Sequence, residues 1–193
     1  MTAADEPAVN NLPAGGWRTT VLPPWPAYFG LIVLTERSRV RRFSGREVAL
    51  VDEDVAAGRL ARAGHELWLY SVGVDHVPQI TVQVATQPDT NVTAPPPVPE
   101  RGTWQVEVVQ LSAAAGDLVM ADIEGHSTPR TVLRLRPGSQ WQVLVSRRAD
   151  EEALREQRRR FLDGDPESEL AKGEFITGVE RWLIQVRRGN RTG

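Results

Sequence analysis

Short runs of alternating hydrophobic and polar residues recur along the chain and predict β-strands. The clearest run extends from Gln79 to Ala85, where Ile80, Val82 and Val84 alternate with polar residues. Successive side chains of a strand point to opposite faces, so this alternation is typical of a strand with one buried face. Further strand candidates, alternating or continuously apolar, lie at 17–22, 28–36, 66–72, 103–109, 130–136, 141–145 and 174–188.

Two segments have helical character instead. Residues 150–163 open on acids, include a narrow apolar face around Leu154, and carry four arginines before Gly164. Acids at the start of a helix and cations at its end suit the helix dipole. A shorter acidic run, Asp52 to Gly58, indicates a single helical turn with its acids at the N-terminus.

The order of these elements predicts a mainly β fold, an antiparallel β-sandwich of about eight strands with one helix near residues 150–163. Strands do not alternate with helices, which argues against a parallel doubly wound sheet. We expect a single domain over residues 17–188, with a flexible N-terminal tail at 1–16 and a C-terminal tail at 189–193. Proline-rich residues 87–101 predict a long surface loop, with a linker between two smaller domains as the alternative.

Composition excludes several kinds of site. The chain has 193 residues and no cysteine, which rules out disulfides, thiolate metal sites and thiol nucleophiles. The N-terminus lacks the pattern of a signal peptide and no apolar run is long enough to span a bilayer, so we expect a cytoplasmic protein. Of the 23 basic residues only Lys172 is lysine, which indicates a GC-rich and therefore bacterial genome.

Charge is distributed unevenly along the chain. From Leu50 to Thr128 eleven acids face three arginines, a net charge of −8, whereas from Pro129 to Arg160 nine arginines face four acids, a net charge of +5. This division predicts either a two-faced surface that steers partners or ordinary solvated faces of strands and one helix. The basic run from Arg37 to Glu47 is the best candidate for binding nucleic acid, but the net charge of −2 argues against that partner.

Catalytic motifs are not evident. His65, His76 and His126 do not share the spacing of metal ligands, and neither a nucleophile elbow nor a phosphate-binding loop is present. We therefore predict no catalytic residue, metal or cofactor. Acid pairs such as Asp52 with Asp54 leave a metal-dependent hydrolase open as an alternative.

Six tryptophans are many for this length, and most stand at the start of a predicted strand, where core packing is the expected use. Trp25 lies between two prolines and is the best candidate for an exposed contact. An interface built from tryptophans would suit a structural or scaffolding protein, which is a second alternative.

An ordered series of motifs spans residues 20–188. An aromatic-led strand from Tyr28 to Leu34 precedes the acidic turn at 52–58, Asp-Glu-Asp-Val-Ala-Ala-Gly. Residues 130–145 contain a strand, a Pro-Gly turn and an aromatic-led strand, and Trp182 to Val186 closes the series. This order resembles the competence protein J-type nuclease inhibitors, whose acidic turn reads Asp-Glu-x-Ile-x-x-Gly.

The chain departs from that family in three places. It adds the proline-rich segment at 88–99 and the helix at 150–163, and Leu50 or Val51 replaces the tryptophan that precedes the family's acidic turn. The resemblance implies a β-sandwich that inhibits a nuclease or toxin.

A nuclease presents a basic cleft, so its inhibitor should present clustered acids, which speed association. We therefore predict a non-enzymatic protein-binding module, an inhibitor or immunity protein, whose acidic surface includes Asp52, Glu53 and Asp54. We predict Trp25 as a further contact with the partner.

Overall fold

The computed structural model describes residues 16–27, 30–73, 76–86, 104–164 and 176–189, which form ten β-strands and two α-helices. The strands are β1 (Trp17–Val21), β2 (Leu31–Glu36), β3 (Ala61–Ala63), β4 (Leu67–Tyr70), β5 (His76–Ala85), β6 (Gln105–Ala113), β7 (Asp117–Ala121), β8 (Leu133–Arg134), β9 (Ser139–Ala149) and β10 (Ile176–Arg188). The helices are α1 (Gly45–Ala56) and α2 (Glu151–Leu162).

The strands form two five-stranded sheets that pack face to face. Sheet A has the order β1-β5-β10-β9-β6, and sheet B has the order β3-β4-β2-β7-β8. The mainly β, sandwich-like fold predicted from the sequence is therefore confirmed. Among the described strands the pairing is antiparallel except between β5 and β10, which run parallel from His76 opposite Ile176 to Val84 opposite Val186.

The main core lies between the two sheets. Ile80, Val82 and Val84 point into it, as their alternation predicts, and are at most 8% exposed. Trp141 and Trp182 lie in the same core at 5% and 2% exposure, which confirms the core packing expected for these two tryptophans.

Helix α1 packs on the outer face of sheet B and makes a third layer. Val51 of the helix joins a second apolar cluster with Leu31 and Val33 of β2 and with Trp68 and Tyr70 of β4. Strands β2 and β4 are consequently buried on both faces, and all of their residues are buried. This is why their sequences read as continuous apolar runs rather than as alternating ones.

The predicted helix near 150–163 is confirmed as α2, which packs near the start of β5. Leu154 is completely buried, and its Cδ2 atom would lie 2.6 Å from a Cβ atom placed on Gly73. A larger residue at position 73 would therefore require the Leu154 side chain to move.

Several local predictions were wrong. The single turn predicted at 52–58 is the end of the twelve-residue helix α1, so the acids lie in its last turns and not at its N-terminus. Strand β7 was not predicted, and the strand predicted at 130–136 shrinks to β8. The strand predicted at 28–36 is described from Leu31 to Glu36, and residues 28 and 29 lie outside the described residues.

The predicted tails and the proline-rich loop fall almost entirely outside the described residues, so the domain limits stay a prediction. Within the part of the chain that the structure describes, no helix has the length and apolar character needed to cross a membrane.

Candidate partner-binding surface

The start of α1 is held by a capping box. The hydroxyl of Ser44 accepts a hydrogen bond from the backbone N–H of Glu47, and the Glu47 carboxylate accepts one from the backbone N–H of Ser44 at 2.9 Å. Arg41 donates two hydrogen bonds to the same carboxylate, at 2.7 and 3.2 Å. The backbone hydrogen bond from Ser44 and the charge-assisted bonds from Arg41 lower the pKa of Glu47 to about 2.

Asp54 points from the helix toward sheet B. It accepts a hydrogen bond from the Tyr70 hydroxyl at 2.8 Å and forms ion pairs with Arg59 at 3.1 Å and Arg62 at 3.9 Å. Burial and this hydrogen bond to Asp54 raise the pKa of Tyr70. Asp54 therefore fastens the helix to the sheet, and little of its charge remains for a partner.

Asp52 and Glu53 lie on the solvent side of the helix. The side chain of Asp52 is 69% exposed and forms a long ion pair, 3.7 Å, with Arg158 of α2. Glu53 is exposed and has no ion pair with any described residue. Because an exposed ion pair contributes only about 0–1 kcal/mol, Asp52 as well as Glu53 remains available to a partner.

Two other described acids of the region 50–128 have structural roles away from the solvent side of α1. Glu107 of β6 accepts hydrogen bonds from the backbone N–H groups of Leu60 and Ala61, at 2.7 and 3.1 Å, and so joins the edges of the two sheets. Asp122 is 1% exposed and accepts from the backbone N–H groups of Glu124 and His126. Glu107 and Asp122 therefore serve local structure, whereas Asp52 and Glu53 are acids of α1 that face solvent.

Trp25 is less exposed than its two flanking prolines suggest. The residue is half-buried and packs against the main core. Its role in binding a partner stays a prediction.

One of the three histidines lies in a buried ionic cluster that sequence reasoning missed. His76 is completely buried, with Nε2 2.7 Å from Oε2 of Glu180, and Arg147 donates from Nε to the other oxygen of Glu180. Arg147 also donates to Glu151 at 2.6 Å. Burial alone would raise the pKa of Glu180, but the hydrogen bond and charge of His76 and the charge of Arg147 lower it overall.

This buried cluster connects the neighbouring strands β5, β10 and β9 to the start of α2. A signal for it is present in the sequence, because Arg147 continues the inward-facing series that begins with Val143 and Val145 of β9. His76, Arg147 and Glu180 are at most 3% exposed, so the cluster stabilises the interior and does not face a ligand.

A charged cleft of about 560 Å³ lies between the segment that precedes α1, the helix itself and the β3–β4 hairpin. It contains three arginines, a histidine and two glutamates. The lining residues are Ser38, Arg39, Val40, Arg41, Glu47, Leu50, Arg62, Ala63, Gly64, His65, Glu66 and Trp68. The cleft includes part of the basic run at 37–47, so the arginines of that run lie beside the carboxylates of Glu47 and Glu66.

Among the described residues, no group of three or more histidine and acidic side chains lies close enough together to hold a metal ion. The acid pair Asp52 and Asp54 is divided between the solvent side and the sheet side of α1.

No protein-family model matches the sequence, and no curated protein matches it. Two solved structures are similar in fold. One is described as crocagin biosynthetic gene J, with a TM-score of 0.47 and 16% identity over 88% of this chain and 97% of that chain. The other is ComJ from Bacillus subtilis, described as an inhibitor of the DNA degrading activity of NucA, with a TM-score of 0.47 and 12% identity over 90% of this chain and 96% of that chain.

The similarity in both cases is too low to assign the chain to a family.

Proposed function

We propose that this protein is a non-enzymatic binding module that contacts a basic partner protein, a nuclease or toxin, through the solvent side of α1. One observation carries the proposal: Asp52 and Glu53 are adjacent and exposed, Asp52 has one long ion pair, and Glu53 has no ion pair with a described residue. Two acids in this state add negative potential that a basic surface can neutralise.

The helix holds these acids on a fixed platform. Its start is closed by the capping box of Ser44 and Glu47, its inner side is buried through Val51, and Asp54 is hydrogen-bonded to Tyr70. Contacts that are ordered before binding avoid the entropic cost of ordering them on association. A rigid helix face therefore suits an inhibitor better than an acidic loop would.

Electrostatic attraction between such a surface and a basic partner mainly raises the association rate. Because exposed charges are screened over about 8 Å at physiological ionic strength, the effect should weaken as salt is added.

The test is capture of a partner from host extract by the tagged protein, followed by titration of the purified partner by calorimetry. The variant Asp52→Asn/Glu53→Gln should bind the captured partner roughly fivefold to tenfold more weakly at low salt, since rim charges contribute modestly. The matched control is Asp117→Asn/Glu152→Gln, which removes two exposed charges elsewhere and should bind like the wild type.

If the captured partner is a nuclease, its activity on DNA should fall when the wild-type protein is added and fall less with the helix variant. Equal binding by the helix variant and the control would contradict the proposed surface. A captured partner with a strongly acidic surface whose binding is weakened by the helix variant and not by the control would contradict the proposed class of partner.

A further inference from the structure

Two arginines of the charged cleft have acidic partners that are engaged elsewhere. The Arg39 side chain is 42% exposed and lies 3.5 Å from Glu36, which is 5% exposed and also accepts from the backbone N–H groups of Ala115 and Gly116. The Arg62 side chain is 54% exposed, and its ion pair with Asp54 is long at 3.9 Å.

These two arginines can still bind a ligand. Each guanidinium carries five N–H donors in a planar fork that matches a carboxylate, and a single long ion pair uses few of them. Arg41 differs, because both of its terminal nitrogens donate to Glu47. Arg39 and Arg62 approach the cleft from different elements, the segment before α1 and the β3–β4 hairpin.

From this geometry we infer that the charged cleft binds an acidic peptide segment of a protein, with Arg39 and Arg62 holding its carboxylates. The volume of about 560 Å³ accommodates a few side chains of an extended segment. The inference does not depend on the proposed role of Asp52 and Glu53, which lie outside the cleft lining.

The acids of the cleft favour a peptide over nucleic acid. Glu66 is fixed in the lining, where it accepts hydrogen bonds from Thr35 and from the Trp68 indole, both at 3.0 Å. Glu47 lines the same space. A phosphodiester backbone carries a negative charge on the chain itself at every nucleotide and would meet these carboxylates. A glutamate side chain can instead turn its carboxylate toward the arginines or out to solvent.

The indole N–H of Trp68 is a reporter for this site, because it donates to Glu66 in the cleft lining. The experiment titrates ¹⁵N-labelled protein with a blocked hexaglutamate peptide and follows the indole signal by NMR. Trp68→Phe assigns the signal. We expect a saturable shift whose apparent affinity falls as salt is added.

The variant Arg39→Gln/Arg62→Gln should weaken binding of the peptide by about tenfold, since it removes both bidentate donors. Arg39→Lys/Arg62→Lys keeps the charges and should give an intermediate affinity, which separates carboxylate recognition from general attraction. The control Arg134→Gln/Arg155→Gln removes two arginines that are 77% and 72% exposed and lie outside the cleft, and it should bind like the wild type.

Three results would overturn the inference: no shift with hexaglutamate, equal affinity of the cleft variant and its control, or a shift with a deoxythymidine decamer but not with the peptide. The variant Asp52→Asn/Glu53→Gln should still bind hexaglutamate. The experiments can therefore disprove the proposal for the helix surface and the inference for the cleft independently of each other.

Discussion

Residues that are adjacent in this sequence can have different roles because their side chains point to different sides of the same helix. Glu53 and Asp54 are adjacent in sequence, but successive residues of a helix are rotated by about 100°, since a turn contains about 3.6 residues. Asp54 therefore reaches Tyr70 while Glu53 faces solvent. A cluster of acids read from sequence cannot make this distinction until the helix and its packing face are known.

Glu180 is the residue whose loss should destabilise the fold most clearly. Glu180→Gln removes the buried counter-charge of Arg147 and leaves the partly exposed Glu151 paired with its guanidinium. Breaking a buried pair costs up to about 3–5 kcal/mol. Urea denaturation measures the loss in free energy of unfolding. The exposed control Glu152→Gln should change that free energy by less than about 0.5 kcal/mol, and equal effects of the two variants would contradict the role assigned to the buried cluster.

Gly30 should tolerate no side chain. Its φ of +75° disfavours other residues, and a Cβ atom there would collide with the backbone oxygen atoms of Ser71 and Gly73. Gly58 has a similar φ of +73° but open space around it, so Gly58→Ala isolates the cost of the backbone conformation. Thermal unfolding should show Gly30→Ala losing several degrees more than Gly58→Ala, because overpacking adds about 1–3 kcal/mol to the backbone strain. Similar midpoints for the two variants would mean that the chain relaxes around position 30.

At the scale of elements, alternation predicted strands with one buried face, and continuous apolar runs predicted β2 and β4, which are buried on both faces. Strand β5 alternates and was predicted, and α2 was predicted from its charge pattern. Strand β7, with the continuous apolar run Leu118 to Ala121, was not predicted. Only one turn of helix α1 was predicted, although its capping box, Ser44 with Glu47, is the sequence signature of a helix start.

The start of α1 makes the stability of the protein depend on pH. Glu47 has its pKa lowered from 4.5 to about 2, so it favours the folded state above pH 4.5, and this contribution is lost as pH falls toward 2. Glu47→Gln keeps a side chain that can cap the helix but loses this titration. The wild type should therefore be more stable than the variant at pH 6, with the difference shrinking steadily between pH 4.5 and pH 2. Urea denaturation across that range measures it, and a difference independent of pH would contradict the ionic origin.

At the scale of the whole molecule, the layer order explains what sequence could and could not predict. The sandwich core follows from alternation, as Ile80 and Val82 show. The third layer could not be predicted from alternation, because Leu31 and Val33 are buried only once α1 covers them. The charged cleft is formed by three separate segments, and its geometry depends on that layer. Trp25, chosen for its flanking prolines, packs against the core.

The parallel pairing of β5 with β10 makes the end of the chain essential to sheet A. Strand β10 lies between β5 and β9 and contributes Trp182, Ile184 and Val186 to the main core. A protein that ends at residue 175 should therefore fail to unfold cooperatively, because its sheet would be divided and its core opened. A protein limited to residues 16–189 should keep the thermal midpoint of the full chain to within about 2 °C, since a change of 1 kcal/mol shifts a domain of this size by roughly 2–4 °C. Calorimetry distinguishes the two, and a large loss in the 16–189 protein would show that the predicted tails belong to the folded domain.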